Sequence, residues 1–212
     1  MLASASPARL ETLRRAGIEP VVAVSGVDED AVVADREARY GALAPDEVAL
    51  LLARAKCEAV AASLNGSDGP GLLVLGGDSV LDLDGEAMGK PVDAAEAVSR
   101  WRRMRGRSGT LHTGHWLVDA RHTRSGGSGA SIGVVASATV HFAELSDAEI
   151  DAYVATGEPL RVAGAFTIDG LGGAFVTGVE GDPHTVVGLS LFLLRELLAE
   201  CGVAWFDLAT AR

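Results

Sequence analysis

The chain has 212 residues, 48% of them hydrophobic, which provides for a sizeable core and excludes a disordered protein. Its formal net charge of −11 argues against a general nucleic-acid binder, because such proteins carry a basic face. Cys57 and Cys201 are too far apart to indicate a disulfide framework, and neither a signal peptide nor an apolar run of membrane-spanning length is present. We therefore expect a soluble, cytoplasmic protein with no membrane partner.

The chain begins with a candidate anion-binding motif. Met1 to Ala3 predicts a very short strand, and Ser6 and Pro7 are typical of the cap and first residue of a helix. The free N–H groups at a helix start, together with Ser4, Ser6 and Arg9, suit the oxygens of a phosphate. An ordinary capped helix is the simpler interpretation of this motif taken alone.

Acidic and basic residues accompany the next two predicted elements. Val21 to Ser25 predicts a strand, and it runs into three consecutive acids that include Glu29. These acids are either a solvated loop or ligands for a divalent cation. Pro45 to Leu64 has the apolar spacing of a helix and carries Lys56, although a lone lysine on a helix is usually a solvated charge. A loop is predicted to follow, from residue 65 to Gly71.

The most informative stretch comes next. Leu72 to Leu75 predicts a short buried strand that ends at Gly76-Gly77, and Asp78 follows at its carboxyl end, where open α/β sheets bind ligands. Asp84-Gly85 predicts a tight turn, and Lys90 comes after it. An acid and a lysine that return to one place suit a metal-assisted attack on a phosphate. A solvated strand end with a surface lysine is the alternative.

The second half of the chain predicts mostly regular structure. The predicted elements are a helix from Asp93 to Arg105, strands from Ser108 to Asp119 and from Ile132 to Phe142, a capped helix from Ser146 to Thr156, a helix from Thr185 to Gly202 and an edge strand from Val203 to Phe206. Five arginines between residues 100 and 107 indicate a solvated surface or a partner contact. Gly170 to Gly173 fails the dinucleotide-binding spacing, so an oxidoreductase is disfavoured.

Five motifs resemble those of the Maf family of nucleoside triphosphate pyrophosphatases. They are LASASPARLETL at the start, LARAK ending at Lys56, GGDSV with MGKP, the stretch LSDAEIDAYVATGEPLRVAGAFTIDGLGG, and VVGLSL. Each motif is modest alone, but the five occur in the family's order and cover nearly the whole chain. Together they are highly specific.

The resemblance implies a fold, an activity and a set of site residues. The fold would be α/β, an elongated mixed β-sheet flanked by helices with a central cleft, similar to inosine triphosphatases, in a single domain over residues 1–212 with two lobes. The activity would be hydrolysis of nucleoside triphosphates between the α- and β-phosphates, with Mg²⁺ or Mn²⁺, by a homodimer. By position, Asp78 falls on the catalytic acid and Glu29 on an acid that would join it at the metal. The positions on the phosphate side are Ser4, Ser6, Arg9, Lys56 and Lys90.

A second function is a nucleotide-binding regulator of septum formation that acts through partners. The intact acid and the three cations favour the enzyme, because a triphosphate needs cations to stabilise its transition state.

The sequence departs from the family pattern at positions that bear on the base. Ala8 replaces the first arginine of SPRR, and Asp169 replaces the glutamine of IQG. One branch of the family prefers dTTP and UTP and another prefers 7-methyl-GTP; Ala8, Gly89 and Asp169 resemble the second, whereas GLGGAF resembles the first. A carboxylate accepts hydrogen bonds and cannot donate them, so Asp169 suits the N–H groups of guanine. We expect a guanine-type or modified purine substrate, with broad specificity as the alternative.

Overall fold

A six-stranded mixed sheet forms the centre of the protein in the computed structural model, which describes residues 1–64 and 71–210. The strands are β1 (Leu2–Ala3), β2 (Leu72–Leu83), β3 (Glu86–Met88), β4 (Ser108–Ala120), β5 (Ser131–Phe142) and β6 (Val176–Glu180). Their order is β1-β2-β4-β5-β6, with β3 paired to β2, and β1 is parallel to β2 while the other pairs are antiparallel. Helices flank this sheet, which confirms the predicted fold class.

The outer edge of β2 is interrupted in its middle. β1 pairs with Leu75 and Gly76, β3 pairs with Leu81 to Leu83, and within the described residues no strand pairs with this edge from Gly77 to Val80. We call this segment the edge gap. The prediction that Asp78 follows the end of a short strand is therefore wrong, because β2 continues past the glycines to Leu83 and Asp78 lies inside the edge gap.

The glycines around the edge gap allow close approach on both faces of the sheet. A Cβ on Gly76 would lie 2.3 Å from the carbonyl oxygen of Ala53, and one on Gly114, opposite Asp78, would lie 2.3 Å from that of Ala49. On the other face, a Cβ on Gly77 would lie 3.0 Å from Nε of Arg9. The glycines thus serve packing, and they do not end the strand.

Eight helices within the described residues flank the sheet. They are α1 (Pro7–Arg15), α2 (Glu29–Tyr40), α3 (Pro45–Leu64), α4 (Ala94–Met104), α5 (Asp147–Ala155), α6 (Pro183–Val187), α7 (Leu191–Glu200) and α8 (Trp205–Leu208). Short 3-10 turns lie at Thr123–Ser125, Pro159–Arg161, Ala163–Ala165 and Leu171–Phe175. Ser6 and Ser146 cap their helices as predicted, and Asp93, predicted to start a helix, is the cap of α4. The loop predicted from residue 65 lies outside the described residues, apart from Gly71.

Three predicted elements differ from the structure. The segment from Val21 to Ser25 is no strand, because it makes one isolated bridge, between Leu2 and Val22. The helix predicted from Thr185 to Gly202 is two helices, α6 and α7; Gly188 breaks it with a φ of 111°, and Ser190 caps α7. The predicted edge strand from Val203 to Phe206 instead leads into α8.

The buried side chains form separate clusters along the sheet. One surrounds Trp101, whose ring meets those of Phe142 and Tyr153 edge-on at 5.7 and 5.4 Å. A second contains Leu2, Leu75 and other leucines, and a third lies under α3. Among the described helices, none combines the length and apolarity needed to cross a bilayer.

The arginines from residue 100 to 107 form ion pairs on the surface. Arg100 pairs with Glu96, Arg103 with Glu86 and Arg107 with Asp84, while Arg102 and Arg105 both reach Asp147. The charge of this cluster is therefore compensated by acids of α4 itself and of neighbouring segments.

Candidate active site

Two carboxylates and a lysine meet on the α3 face of the edge gap. Nζ of Lys56 lies 2.6 Å from Oδ1 of Asp78 and 2.8 Å from Oε1 of Glu29. The three residues come from α3, from the middle of β2 and from the first residue of α2. One ammonium group thus bridges two carboxylates from separate elements, which joins three of the residues that the sequence proposed.

Asp78 is a buried acid, with 8% of its surface exposed. Burial raises the pKa of Asp78 above its ordinary value, although the positive charges of Lys56 and Arg9 act in the opposite direction. A carboxylate with a raised pKa is a stronger base than an exposed one. The environment of Asp78 therefore suits a group that takes a proton from water.

Arg9 lies on the opposite face of β2. Its Nε donates to the carbonyl oxygen of Gly188 at 2.7 Å, Nη1 to Oγ of Ser4 at 3.1 Å and Nη2 to Oγ of Ser79 at 2.8 Å. Because side chains alternate along a strand, Ser79 points away from Asp78. Each nitrogen of Arg9 is thus held by a protein acceptor, and two of its five N–H groups remain for a ligand.

A buried polar network extends behind Arg9. The hydroxyls of Ser79 and Thr113 are 2.9 Å apart, and Thr113 donates to the carbonyl oxygen of Thr185 at 2.8 Å. Nε2 of His115 accepts a hydrogen bond from the backbone N–H of Ser190 at 2.9 Å. Burial, together with the charge of Arg9, lowers the pKa of His115 to about 4, so this imidazole is neutral. The network fixes α1 and the segment after α6 against the sheet.

Sequence reasoning missed most of this network. Thr113 and His115 are two residues apart in β4, and both are completely buried. Period-two alternation in a strand is the signal that could have placed them on one face with Ser79 across the ladder, since Ser79 and Thr113 are paired. The contribution of Thr185 and Ser190 could not be found this way, because it depends on the break at Gly188.

The residues predicted on the phosphate side do not all lie together. Lys56 lies beside Asp78, whereas Ser4 and Ser6 lie beside Arg9. Ser4 contacts Arg9, while the hydroxyl of Ser6 accepts from the backbone N–H of Arg9 at 3.4 Å as the cap of α1. Lys90 is exposed and makes no hydrogen bond or ion pair with the described residues of the cluster. It follows β3, which runs antiparallel to β2 and so leads the chain back toward the level of Asp78.

Asp169 lies apart from the charged cluster, on the wall of a cavity of about 340 Å³. It is exposed and accepts a short hydrogen bond from the hydroxyl of Thr167. The cavity is also lined by Ala8, which precedes Arg9, by Thr12, one turn further along α1, and by Val187, which precedes Gly188. It therefore opens beside the Arg9 network.

The donor set of the cluster fits a small, hard cation. Mg²⁺ is usually held by one or two carboxylates together with substrate phosphates, and Asp78 and Glu29 provide two carboxylates around one point. Within the described residues, no group of three or more His, Cys, Asp or Glu residues forms a ready-made metal site. A metal here would depend on oxygens from the substrate.

Comparison with known proteins identifies the family of this chain. The family profile described as Maf-like protein matches residues 1–201. A protein of Leifsonia xyli subsp. xyli named nucleoside triphosphate pyrophosphatase is 56% identical, with 98% of this chain and 94% of the relative covered. Proteins of the same name from Salinispora tropica and Streptomyces coelicolor are 60% and 53% identical, covering 94% and 98% of this chain and 82% and 93% of the relatives. The chain belongs to the Maf-like protein family.

Proposed function

We propose that this protein is a nucleoside triphosphate pyrophosphatase that hydrolyses the bond between the α- and β-phosphates. The observation that carries the proposal is the buried Asp78, paired with Lys56 and Glu29 in the edge gap, in a chain whose similar relatives bear that enzyme's name. A regulator of septum formation without enzymatic activity is not favoured, since the acid and its cations are all present.

Asp78 acts as the general base in this proposal. It takes a proton from water, and the water oxygen bonds to the α-phosphorus. The bond from the α-phosphorus to the bridging oxygen breaks, and the diphosphate leaves with that electron pair. The products are a nucleoside monophosphate and a diphosphate.

The cations neutralise the phosphate chain. A triphosphate carries about four negative charges near neutral pH, so its hydrolysis needs preorganised positive charge. Lys56 and the two remaining N–H groups of Arg9 provide this charge from the two faces of β2. Ser4 orients Arg9, Ser6 caps the helix start that faces the substrate, and Lys90 joins the site when the phosphates are bound.

We propose that Asp78 and Glu29 also hold Mg²⁺ or Mn²⁺. When bound with the substrate, such a metal would neutralise phosphate charge as a Lewis acid. In its absence Lys56 supplies the positive charge between the two carboxylates.

The base would lie in the cavity beside Arg9, with Asp169 on its wall. The cavity's volume of about 340 Å³ accommodates a nucleobase. A carboxylate accepts hydrogen bonds only, which suits the adjacent N–H groups of guanine better than the carbonyl-rich edge of uracil or thymine. We propose a guanine-type or modified purine substrate.

The wider organisation is also proposed. The separate buried clusters at the two ends of the sheet support one domain, residues 1–212, with two lobes around the edge gap. We propose that the protein is a homodimer and that it is located in the cytoplasm. Light scattering of the purified protein tests the first, and fractionation of cells tests the second.

A substrate panel tests the function. Purified protein is incubated with normal and modified nucleoside triphosphates and Mg²⁺ or Mn²⁺, and the phosphate products are separated. Diphosphate as the first product, formed with monophosphate in equal amounts, supports the proposal. Orthophosphate as the first product would indicate a different phosphatase. Turnover of UTP and dTTP at least tenfold above that of guanine nucleotides, and unchanged in Asp169→Gln, would refute the base assignment.

A further inference from the structure

The carboxylate of Glu158 binds the backbone of the loop that carries Asp169. Oε1 of Glu158 accepts a hydrogen bond from the hydroxyl of Tyr153 at 2.8 Å and another from the backbone N–H of Gly172 at 2.8 Å. Oε2 accepts one from the backbone N–H of Leu171 at 2.9 Å. Both oxygens of a single carboxylate therefore bind two consecutive peptide groups of one loop.

The loop packs closely against Glu158 and Tyr153. A Cβ on Gly170 would lie 2.4 Å from Oε2 of Glu158, and one on Gly172 would lie 2.2 Å from the hydroxyl of Tyr153. The loop can lie against the carboxylate only because these positions are glycines. Tyr153 is itself buried, and its ring packs 5.4 Å from that of Trp101, so the anchor behind Glu158 is rigid.

The pKa of Glu158 is lowered, which favours lasting hydrogen bonds to the loop. Burial disfavours its charged form, but the N–H groups of Leu171 and Gly172 and the hydroxyl of Tyr153 outweigh this effect and lower the pKa of Glu158. The carboxylate is therefore ionised at neutral pH, and ionised acceptors form the stronger hydrogen bonds.

The residues that Glu158 binds, Leu171 and Gly172, lie two and three residues after Asp169. Asp169 is two residues from Leu171 and one from Gly170, and its carboxylate accepts from Thr167 on the other side. The hydrogen bonds of Glu158 thus fix the backbone on one side of Asp169, on the wall of the cavity beside Arg9. Glu158 does not line that cavity, so its effect on a bound base would pass through this loop.

We infer that Glu158 is a positioning residue that sets base selectivity by holding Asp169 at the cavity wall. The inference rests on the proposed function and adds a residue to it. The favoured substrates are nucleotides whose base presents adjacent N–H donors, as guanine does, because a carboxylate that is already held in place can accept from both donors without being ordered on binding.

The test compares three variants on the full chain. Glu158→Gln replaces one acceptor oxygen with an NH2 group, which donates and cannot accept, and Tyr153→Phe removes one donor while keeping the ring. Glu149→Gln is the matched control, because Glu149 lies on α5 with Tyr153 and accepts from the backbone N–H of Ser146 at 2.8 Å, away from the loop. For each variant, kcat and KM are measured with GTP and with UTP, and thermal unfolding is recorded.

Glu158→Gln should lower the ratio of kcat/KM for GTP to that for UTP by about tenfold, mainly through KM for GTP. Tyr153→Phe should lower the ratio by a smaller factor, because it removes one hydrogen bond to Glu158. If Glu158→Gln does not fold, the result for Tyr153→Phe decides the test. Glu149→Gln should keep the wild-type ratio even if it unfolds at a lower temperature. A purely structural Glu158 would instead behave like the control.

The Asp169→Asn variant separates the two possible failures. If Asp169→Asn changes the GTP to UTP ratio but Glu158→Gln and Tyr153→Phe do not, the inference about Glu158 is overturned and the base assignment stands. If Asp169→Asn leaves the ratio unchanged, the base assignment fails and the inference fails with it.

Discussion

His115 should make the protein lose stability in mildly acidic solution. The imidazole is completely buried and its pKa is about 4, against an ordinary value of 6.5 that it regains in the unfolded chain. Between these two values the unfolded chain binds a proton at His115 and the folded protein does not, so stability falls as the pH falls from 6.5 toward 4. At about 1.4 kcal/mol for each pH unit, the full loss from this residue is about 3 kcal/mol.

The assay is urea unfolding followed by tryptophan fluorescence at several pH values from 7.5 to 4.5. His115→Gln removes the titrating group, so its free energy of unfolding should decline less steeply over this range than that of the wild type. Slopes are compared because the substitution also changes packing. His184→Gln is the control, since its side chain is 53% exposed, and it should not reduce the decline. Equal slopes for His115→Gln and wild type would refute the reasoning.

Three further predictions concern charged side chains. Asp119→Asn should destabilise the protein by about 3 kcal/mol in urea unfolding, because the buried carboxylate accepts from Arg121 and Ser128. The hydrogen bond from Arg121 above all holds the pKa of Asp119 below its usual range, so this contribution is fully present above about pH 4 and declines progressively as the pH falls from there toward the lower pKa of the folded protein; a pH-independent difference would contradict this. Lys56→Ala should lower kcat/KM for a triphosphate roughly a hundredfold, as expected for the loss of a preorganised cation. Lys90→Ala should act mainly through KM with no change in melting temperature, because Lys90 is exposed; full activity in both variants would remove the lysines from the mechanism.

The sequence predicted the elements whose signals are local. Ser6, Asp93 and Ser146 mark their helices because a cap acts within one turn, and the long strands β4 and β5 follow from apolar runs. The motifs also assign Asp78 and Lys56 to one site, because their order resembles that of the Maf family.

Other features depend on the tertiary fold and could not be predicted. Gly76-Gly77 signals a turn, but these glycines allow α3 and Arg9 to pack closely on β2, and only the contacts reveal this. None of the residues of α2, all of them described, is buried, so this helix, which carries Glu29, contributes no buried side chain to the core. The contact of Arg9 with the carbonyl oxygen of Gly188 could not be predicted either, because Gly188 is 179 residues away in the sequence.

The central claim is that Asp78, held in the edge gap, is the general base. The most direct test is the turnover of a nucleoside triphosphate by Asp78→Asn, with release of diphosphate as the readout and thermal unfolding as the check on folding. Asp82→Asn is the matched control, because Asp82 lies four residues further along β2 and accepts from the backbone N–H of Gly85 in the turn. Asp78→Asn should fold and lose roughly two to four orders of magnitude in rate, whereas Asp82→Asn should keep its activity. A folded Asp78→Asn protein with near wild-type turnover would contradict the account.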